Sequence, residues 1–312
     1  MFCSTIIPTI GRNLLTRAVE SVLSQTLDED NYEIFVINDS GTSLPNQDWH
    51  NSPKVRIINT NRRERSVARN TGAAMARGRY LHFLDDDDWL LPNALKDFRD
   101  LSQNQSPAWI YGITQLVDRE GNQLIQLHHG LNGNCFLQAM AGEWIPLQSS
   151  LIDAKLFHEL GGFNPLITGP EDIDLLRRIT IYGEVAEINS VVACVEMGYQ
   201  GSTTDYGHHP EVSRWAREGI LDLPGSFPRM HTGAKSSFWS GKLARIYLTS
   251  AIWNIRHKRL FKALSRLFHG LWSMILAGRF VLAGDFWGSL TKPYKSITFE
   301  RGLRESGKEP LA

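Results

Sequence analysis

The sequence predicts an α/β fold: a mostly parallel sheet flanked by helices, followed by a basic helical appendage. Three observations predict it. Short apolar runs alternate with stripes of helical period through the first 85 residues. The apolar runs end in polar, often acidic residues, the edge at which parallel strands meet ligands. Charge is also segregated along the chain, although its 33 basic and 33 acidic side chains cancel in total.

Cys3 to Pro8 is a short apolar run stopped by Pro8, and reads as a strand. Asn13 to Gln25 follows, with Leu14, Leu15, Ala18, Val19, Val22 and Leu23 at helical spacing. Glu33 to Ile37 is a buried strand that ends in the turn Asn38-Asp39-Ser40-Gly41, and Val55 to Ile58 is a third strand. Ser66 to Arg77 reads as a helix and Arg79 to Leu84 as the fourth strand. Strands joined through helices in this way build a parallel sheet. Farther along, Trp109 to Val117 and Gln123 to Leu127 flank Asp118-Arg119-Glu120-Gly121-Asn122, a hairpin signal. Glu171 to Tyr182 is a helix, followed by short strands at Val185 to Ile188 and Val191 to Val195.

A 312-residue chain that is 42% apolar, with nine Trp and fourteen Phe, is no disordered protein. Residues 1 to 234 hold 19 basic and 29 acidic side chains, a net of −10. Residues 235 to 295 hold 11 basic side chains and one acid, Asp285, a net of +10. The predicted division is an acidic body over 1–230, a basic amphipathic helical segment over 235–295 and a polar tail over 296–312. In the basic segment Leu243, Tyr247, Leu248, Ala251, Ile252 and Ile255 form one helical stripe. Leu260, Phe261, Leu264, Leu267, Phe268, Leu271, Trp272 and Ile275 form another. Both stripes suit packing on the body. The basic segment, with Trp239, Trp253, Trp272 and Trp287 and a net positive charge, equally suits a peripheral contact with an anionic membrane through residues 240–290.

Met1 to Thr5 lacks the basic start and apolar core of a signal peptide, and no run is apolar enough to span a bilayer. Cys3, Cys135 and Cys194 share no metal-ligand spacing and cannot all pair. The expected location is therefore cytoplasmic, with the inner membrane face as the place of any peripheral contact.

Chemistry is expected at the strand ends. No Gly-x-Gly-x-x-Gly follows the first strand and no Gly-rich loop with Lys and Ser or Thr occurs, which argues against dinucleotide and Walker-type sites. Asp85-Asp86-Asp87-Asp88 directly follow the buried run Tyr80 to Leu84. Four carboxylates at one strand end repel unless a cation or hydrogen-bond donors sit among them. An all-oxygen set with open positions suits Mg²⁺ or Mn²⁺ bridging to phosphates. The plainer reading, in which Asp88 caps a helix opening near Pro92-Asn93, accounts for one aspartate but not four. Arg62, Arg63, Arg65 and Arg69 lie shortly upstream in an acidic body, and a diphosphate with a divalent ion reconciles the two clusters. Asp39 at a strand end is a turn former or a ligand contact. Glu171 and Asp172 open a helix after Pro170, where capping alone favours acids. There a carboxylate can serve as a general base if the helix start faces the aspartates.

Ile6-Ile7-Pro8-Thr9, Val36-Ile37-Asn38-Asp39-Ser40, Ala68-Arg69-Asn70-Thr71-Gly72, Tyr80 through Asp88, Gly161-Gly162-Phe163 and Glu171-Asp172-Ile173-Asp174-Leu175 stand in this order. Together, over roughly residues 3 to 200, they resemble glycosyltransferase family 2. The resemblance implies a GT-A fold, a nucleotide-diphosphate sugar donor, a carbohydrate or lipid-linked acceptor and inverting transfer, with no nucleic acid as partner. It implies Pro8, Thr9 and Asp39 at the nucleoside and Arg65 or Arg69 near the diphosphate. Asp85 and Asp87 match the D-x-D element around Asp86, with Asp87 as direct metal ligand and Asp85 nearer the ribose. Asp172 matches the catalytic base, and Glu171 beside it contacts acceptor or donor sugar. Two positions depart from the pattern. Ile10-Gly11 stand where the family carries an aromatic residue and Asn, and Glu196 to Ser202 lacks a His that His208 or His209 would replace. A non-catalytic nucleotide-sugar-binding protein and a nucleotidyltransferase are the alternative classes.

Overall fold

β1 (Cys3–Thr9) and β2 (Tyr32–Asn38) are buried along nearly their whole length, as parallel strands covered on both faces must be. The structure is a computed structural model that describes residues 1–62, 64–197 and 209–294. β1 pairs in parallel with β2 and with β4 (Tyr80–Phe83), and β2 pairs in parallel with β3 (Val55–Asn59). α1 (Leu15–Leu23) and α2 (Arg65–Met75) make the crossovers. After β5 (Trp89–Leu90) and α3 (Ala94–Asn104) come the hairpin β6 (Trp109–Val117) and β7 (Gln123–Leu127), then α4 (Phe136–Ala141) and β8 (Ser150–Asp153). α5 (Ala154–Glu159), α6 (Glu171–Tyr182) and β9 (Val185–Glu196) complete the sheet layer.

The strand order is β3-β2-β1-β4-β8-β6-β9-β5, with β7 on β6. The predicted parallel character holds from β3 to β4. Beyond β4 directions mix: β8 is antiparallel to β4 and β6, while β9 is parallel to β6. The two strands predicted at 185–188 and 191–195 are one strand, β9. Its pairing with β6 shifts register around Gly112, where a Cβ would stand 2.7 Å from Val192. The polar pair Asn189-Ser190 marks that irregularity rather than a loop.

Side-chain alternation divides the interior into two cores. Ile34 and Val36 join α1 and α3 on one face, through Ala18, Val19, Val22, Leu95 and Phe98. Phe35 and Ile37 join α2, α5 and α6 on the other, through Ala68, Ala73, Phe157, Leu175 and Ile179. A third core holds Leu137 and Met140 against the C-terminal helices α7 (His209–Leu221), α8 (Ser226–Gly233) and α9 (Ser237–Arg256), through Ile220, Met230, Leu243 and Tyr247. The predicted boundary at 230–235 therefore falls between two helices that share a core. α10 (Leu260–Ala277) and α11 (Gly284–Thr291) both pack on α9. The tail at 296–312 lies outside the described residues.

The two predicted stripes fare differently. Leu243, Tyr247 and Ala251 of α9 are buried, whereas Ile252 and Ile255 are exposed. α10 is inverted: its buried residues are Ala263, Arg266, Gly270 and Ser273, and its apolar stripe faces outward. Phe261 there is 92% exposed. Small residues let α10 lie close to α9, since a Cβ on Gly270 would stand 2.7 Å from Leu248. Arg266 and Lys262 pair with Asp222, just past the end of α7, so part of the basic segment's charge is neutralised by the acidic body.

Gly72 sets the approach of α2 to β1. A Cβ there would lie 2.5 Å from Ile6 Cγ2, a buried β-branched side chain with no room to yield. Helix propensity alone favours Gly72→Ala by ~1 kcal/mol. Overpacking reverses the sign, and the variant should lose about 1–3 kcal/mol in urea unfolding. A more stable variant would show that α2 is not held at this contact.

Candidate active site

The parallel strands bring Thr9, Asp39 and the Asp85–Asp88 turn to one edge of the sheet. Thr9 Oγ1 donates to Asp86 Oδ2 and accepts from Gly11 N at 2.9 Å. Arg12 Nη1 reaches Asp86 at 3.0 Å and Asp87 at 2.9 Å. Arg17 donates to Asp87 O at 2.7 Å and to Glu196 at 2.8 Å, with its guanidinium over Trp89. Asp88 N donates to Asp85 O, which closes the turn, and Asp88 Oδ1 accepts from Glu196 N. The helix-cap reading of Asp88 is thereby corrected: α3 starts at Ala94 after Asn93, and Asp88 points to β9 instead.

Arg69 ties this turn to α6. The side chain is buried, and it donates to Asp85 Oδ1 at 2.7 Å through Nη2 and to Glu171 Oε1 at 2.9 Å through Nη1. Arg65, one helical turn earlier, lies 3.6 Å from the same Glu171 oxygen. The sequence condition on α6 is met: its first turn faces the aspartates.

Asp39 prepares this arrangement from a distance. Its carboxylate accepts from Thr60 Oγ1 and Arg62 N at 2.7 Å and from Glu64 N at 2.8 Å. Glu64 in turn caps α2, accepting from Ser66 N and Val67 N. Asp39 thus fixes the helix that carries Arg65 and Arg69. Pro8 lies beside Ile37 in the β1–β2 register, one residue before Thr9. Asn70 exchanges hydrogen bonds with Phe163 N and O, and Gly162 beside it adopts φ +67°, where a Cβ would strike Asn70. The Gly161-Gly162-Phe163 segment therefore serves to lock α2 against the approach to α6.

The electrostatics follow from burial and crowding. Burial raises Asp85, but Arg69 beside it, with Arg65 and Arg12, holds it below the ordinary value. Asp86 is raised by burial, partly offset by Thr9 and Arg12. Asp87 is pushed up to about 6 by burial and then by Asp85. Asp88 stands well above the ordinary value, through burial and its two neighbours. Asp172 is pushed up to about 6 by burial and by Glu171. Carboxylate oxygens of Asp85, Asp87 and Asp88 lie within 4.8 Å of one another, and hard oxygen donors so grouped fit Mg²⁺ or Mn²⁺.

Sequence reasoning missed Arg12, Arg17, Gln148 and Glu196, and it named Asp88 only within the run of four aspartates. Gln148 Nε2 donates to Asp85 Oδ2 at 3.1 Å, and its carbonyl is held by the buried His82 ring, which also meets Thr5. Arg63 and His208 lie outside the described residues, as does the side chain of His209.

This sheet with an aspartate turn at its parallel edge is a GT-A fold. It matches the crystal structure of Staphylococcus aureus TarS 1–349 in complex with UDP-GlcNAc at a TM-score of 0.60 and 13% identity, over 86% of this chain and 90% of that one. The family model of Glycosyl transferase family 2 matches residues 4–162, and the chain belongs to that family. A chondroitin synthase of Escherichia coli is 28% identical over 61% of this chain. The poly(ribitol-phosphate) beta-N-acetylglucosaminyltransferase TarP of S. aureus strain N315 is 33% identical over 35% of it. The matches span only 28% and 35% of those relatives' lengths.

A carboxyl raised on folding binds more protons folded than unfolded, so its contribution to stability falls as pH rises through its folded pKa. For Asp87 that loss runs from the ordinary carboxylate range up to about pH 6; Asp88, also raised, acts in the same sense and Asp85 in the opposite one. A divalent ion competes with those protons. The Mn²⁺-induced rise in Tm should therefore be larger at pH ~7.5 than at pH ~5.5 and be mostly lost in Asp87→Ala. An equal rise at both pH values, or in the variant, would rule out an ion on this turn.

Proposed function

We propose that the protein is an inverting, divalent-ion-assisted glycosyltransferase. It moves a sugar from a nucleoside-diphosphate donor to an acceptor hydroxyl, in polysaccharide or glycoconjugate synthesis. The Arg69 bridge carries this reading, because one buried guanidinium holds the aspartate turn and the base-bearing start of α6 together. The names of the chondroitin synthase and TarP relatives support the substrate class. Pro8, Thr9 and Asp39 bound the nucleoside side, and Arg65 and Arg69 stand on the diphosphate side. Asp87 and Asp85 hold Mn²⁺ or Mg²⁺, with Asp88 as a third oxygen donor and Asp86 oriented by Thr9 and Arg12. The bound ion supplies positive charge against the departing diphosphate.

Asp172 takes the acceptor's hydroxyl proton as that oxygen attacks the anomeric carbon and the bond to the diphosphate breaks. Its raised pKa makes it a better proton acceptor than an ordinary exposed carboxylate. Glu171 Oε2 is buried and takes no hydrogen bond among the described residues, so it is poised for a sugar hydroxyl. Release of free nucleoside diphosphate across a donor panel with Mn²⁺ tests the reaction. Asp172→Asn should keep donor affinity while turnover falls by roughly 10²–10⁴. The wild-type rate should rise with pH through about 6, as the base deprotonates. A fall below tenfold would leave Asp172 with capping alone.

The outward stripe of α10 supports a lipid surface as partner. Leu260, Phe261, Leu264, Phe268, Leu271 and Ile275 are all exposed, and Arg256, Lys258 and Arg279 are exposed nearby. A second copy would bring like charges together, whereas an anionic leaflet attracts each basic residue by ~1 kcal/mol. No helix among the described residues is long and apolar enough to cross a membrane, so the contact is peripheral. The protein should float with anionic liposomes at low salt, more weakly at high salt. Phe261→Glu with Leu264→Glu should sink it without a loss of Tm, since both side chains are exposed. Flotation unchanged by that pair would remove α10 as the contact.

A further inference from the structure

A cavity of about 250 Å³ lies between α7, α9 and residues 293–294, lined by Arg214, Arg217, Lys242, Arg245, Thr249 and Tyr294. Four cations around one cavity repel one another at short range. Three of them are anchored. Arg214 Nη2 donates to Thr249 O at 2.7 Å, and its Nε lies 3.8 Å from Glu218. Lys242 Nζ donates to Lys292 O at 2.9 Å. Arg245 Nη1 donates to Leu290 O and Thr291 O, the last carbonyls of α11.

Arg217 has no such anchor. Among the described residues it takes part in no hydrogen bond or ion pair, and its Nε is buried without an acceptor. Burial, and then Arg214, Arg177 and Arg245, pull its pKa down to about 9. The neighbouring acids are engaged elsewhere: Glu218 with Ser250, Asn254 and Arg266, and Glu143 with the Tyr294 hydroxyl. A guanidinium held among other cations, with its counter-charge missing, is a costly arrangement unless an anion completes it.

We infer that this cavity is a binding site for a phosphate-bearing ligand, with Arg217 as its central donor. A phosphoryl group offers several acceptor oxygens and up to two negative charges, which suits forked guanidiniums from more than one direction. The volume far exceeds the ~30 Å³ share of one water and leaves room for part of an ester beyond the phosphate. No residue of the aspartate turn or of Glu171 and Asp172 takes part, so the site stands apart from the proposed transfer. It is linked to that region through α6, whose buried Arg177 donates to Ala139 O and lies beside Ser213 of α7.

The test compares wild type with Arg217→Met, which keeps an unbranched side chain and good helix propensity. Inorganic phosphate and pyrophosphate, without divalent ions, should raise the wild-type Tm above that in chloride of equal ionic strength. Arg217→Met should lose that rise while its Tm in chloride equals or exceeds the wild-type value, because a repelled cation is gone. A phosphate rise unchanged in Arg217→Met would overturn the site, as would an equal rise in chloride. A lower chloride Tm with the phosphate rise intact would make Arg217 a structural residue. Flotation on phosphatidylcholine vesicles containing phosphatidic acid, measured with Phe261→Glu and Leu264→Glu in both proteins to remove the α10 contact, separates the sources. Flotation lost in the variant along with the phosphate rise identifies a lipid headgroup, and flotation retained while that rise is lost identifies a soluble phosphate.

Discussion

The buried guanidinium of Arg69 is the constraint on which the site depends. A charge removed from water must be paired and fully directed, and Arg69 divides its two Nη groups between Asp85 and Glu171. These carboxylates come from different elements, a strand-end turn and a helix start more than 80 residues apart in sequence. Either one alone would leave the guanidinium half paired. The geometry of α2 relative to β1 therefore has to be right to within a hydrogen-bond length. Gly72 against Ile6, the Glu64 cap and the Asn70–Phe163 exchange each restrict that one helix.

The aspartate turn shows how a crowd of acids is kept in place before any cation joins it. Asp85 is held by Arg69 and Gln148, Asp86 by Thr9 and Arg12, and Asp87 by Arg12. Asp88 accepts from the Glu196 amide at 3.3 Å, and burial with Asp85 and Asp87 nearby holds it well above the ordinary carboxylate value. Donors thus fix the orientation of the carboxylates. His82 contributes without charge. Burial pulls its pKa down to about 4, so the neutral ring sits between Thr5 and the main-chain carbonyl of Gln148.

The sheet's parallel half and the carboxylate clusters were legible because both are local signals: short continuous apolar runs, and acids at their ends. Asp85, Asp87 and Arg69 could be singled out from short segments, and the structure brings them together. Arg12 sits three residues past Thr9 at the same strand end, and that position alone makes it legible as a candidate. Gln148 and Glu196 carry no sequence signal; only the pairing of β8 with β4 and of β9 with β5 brings them to the turn. Asp39 was legible as a polar strand end, yet its partners at 60–64 depend on a loop path that no periodicity encodes. The gap between 188 and 191 misled for a physical reason, because a strand with a register shift presents polar residues where a regular strand would not.

α10 exposes the limit of reading amphipathicity as burial. Its stripe was found correctly, yet the helix turns that stripe away from the protein and packs on α9 through Ala263, Gly270 and Ser273. The inversion is stable because Arg266, on the inner face, finds Asp222 and the carbonyls of Glu218 and Leu221, so close packing of small residues and a paired buried charge replace the usual apolar contact. Helical period therefore identifies a face but not its destination, which is decided by what the opposite face can bond. The same α7 that receives Arg266 presents Arg214 and Arg217 to the cationic cavity and packs against α6. The outward apolar face, the cavity and the helix that begins with Glu171 and Asp172 are consequently successive layers of one packed assembly.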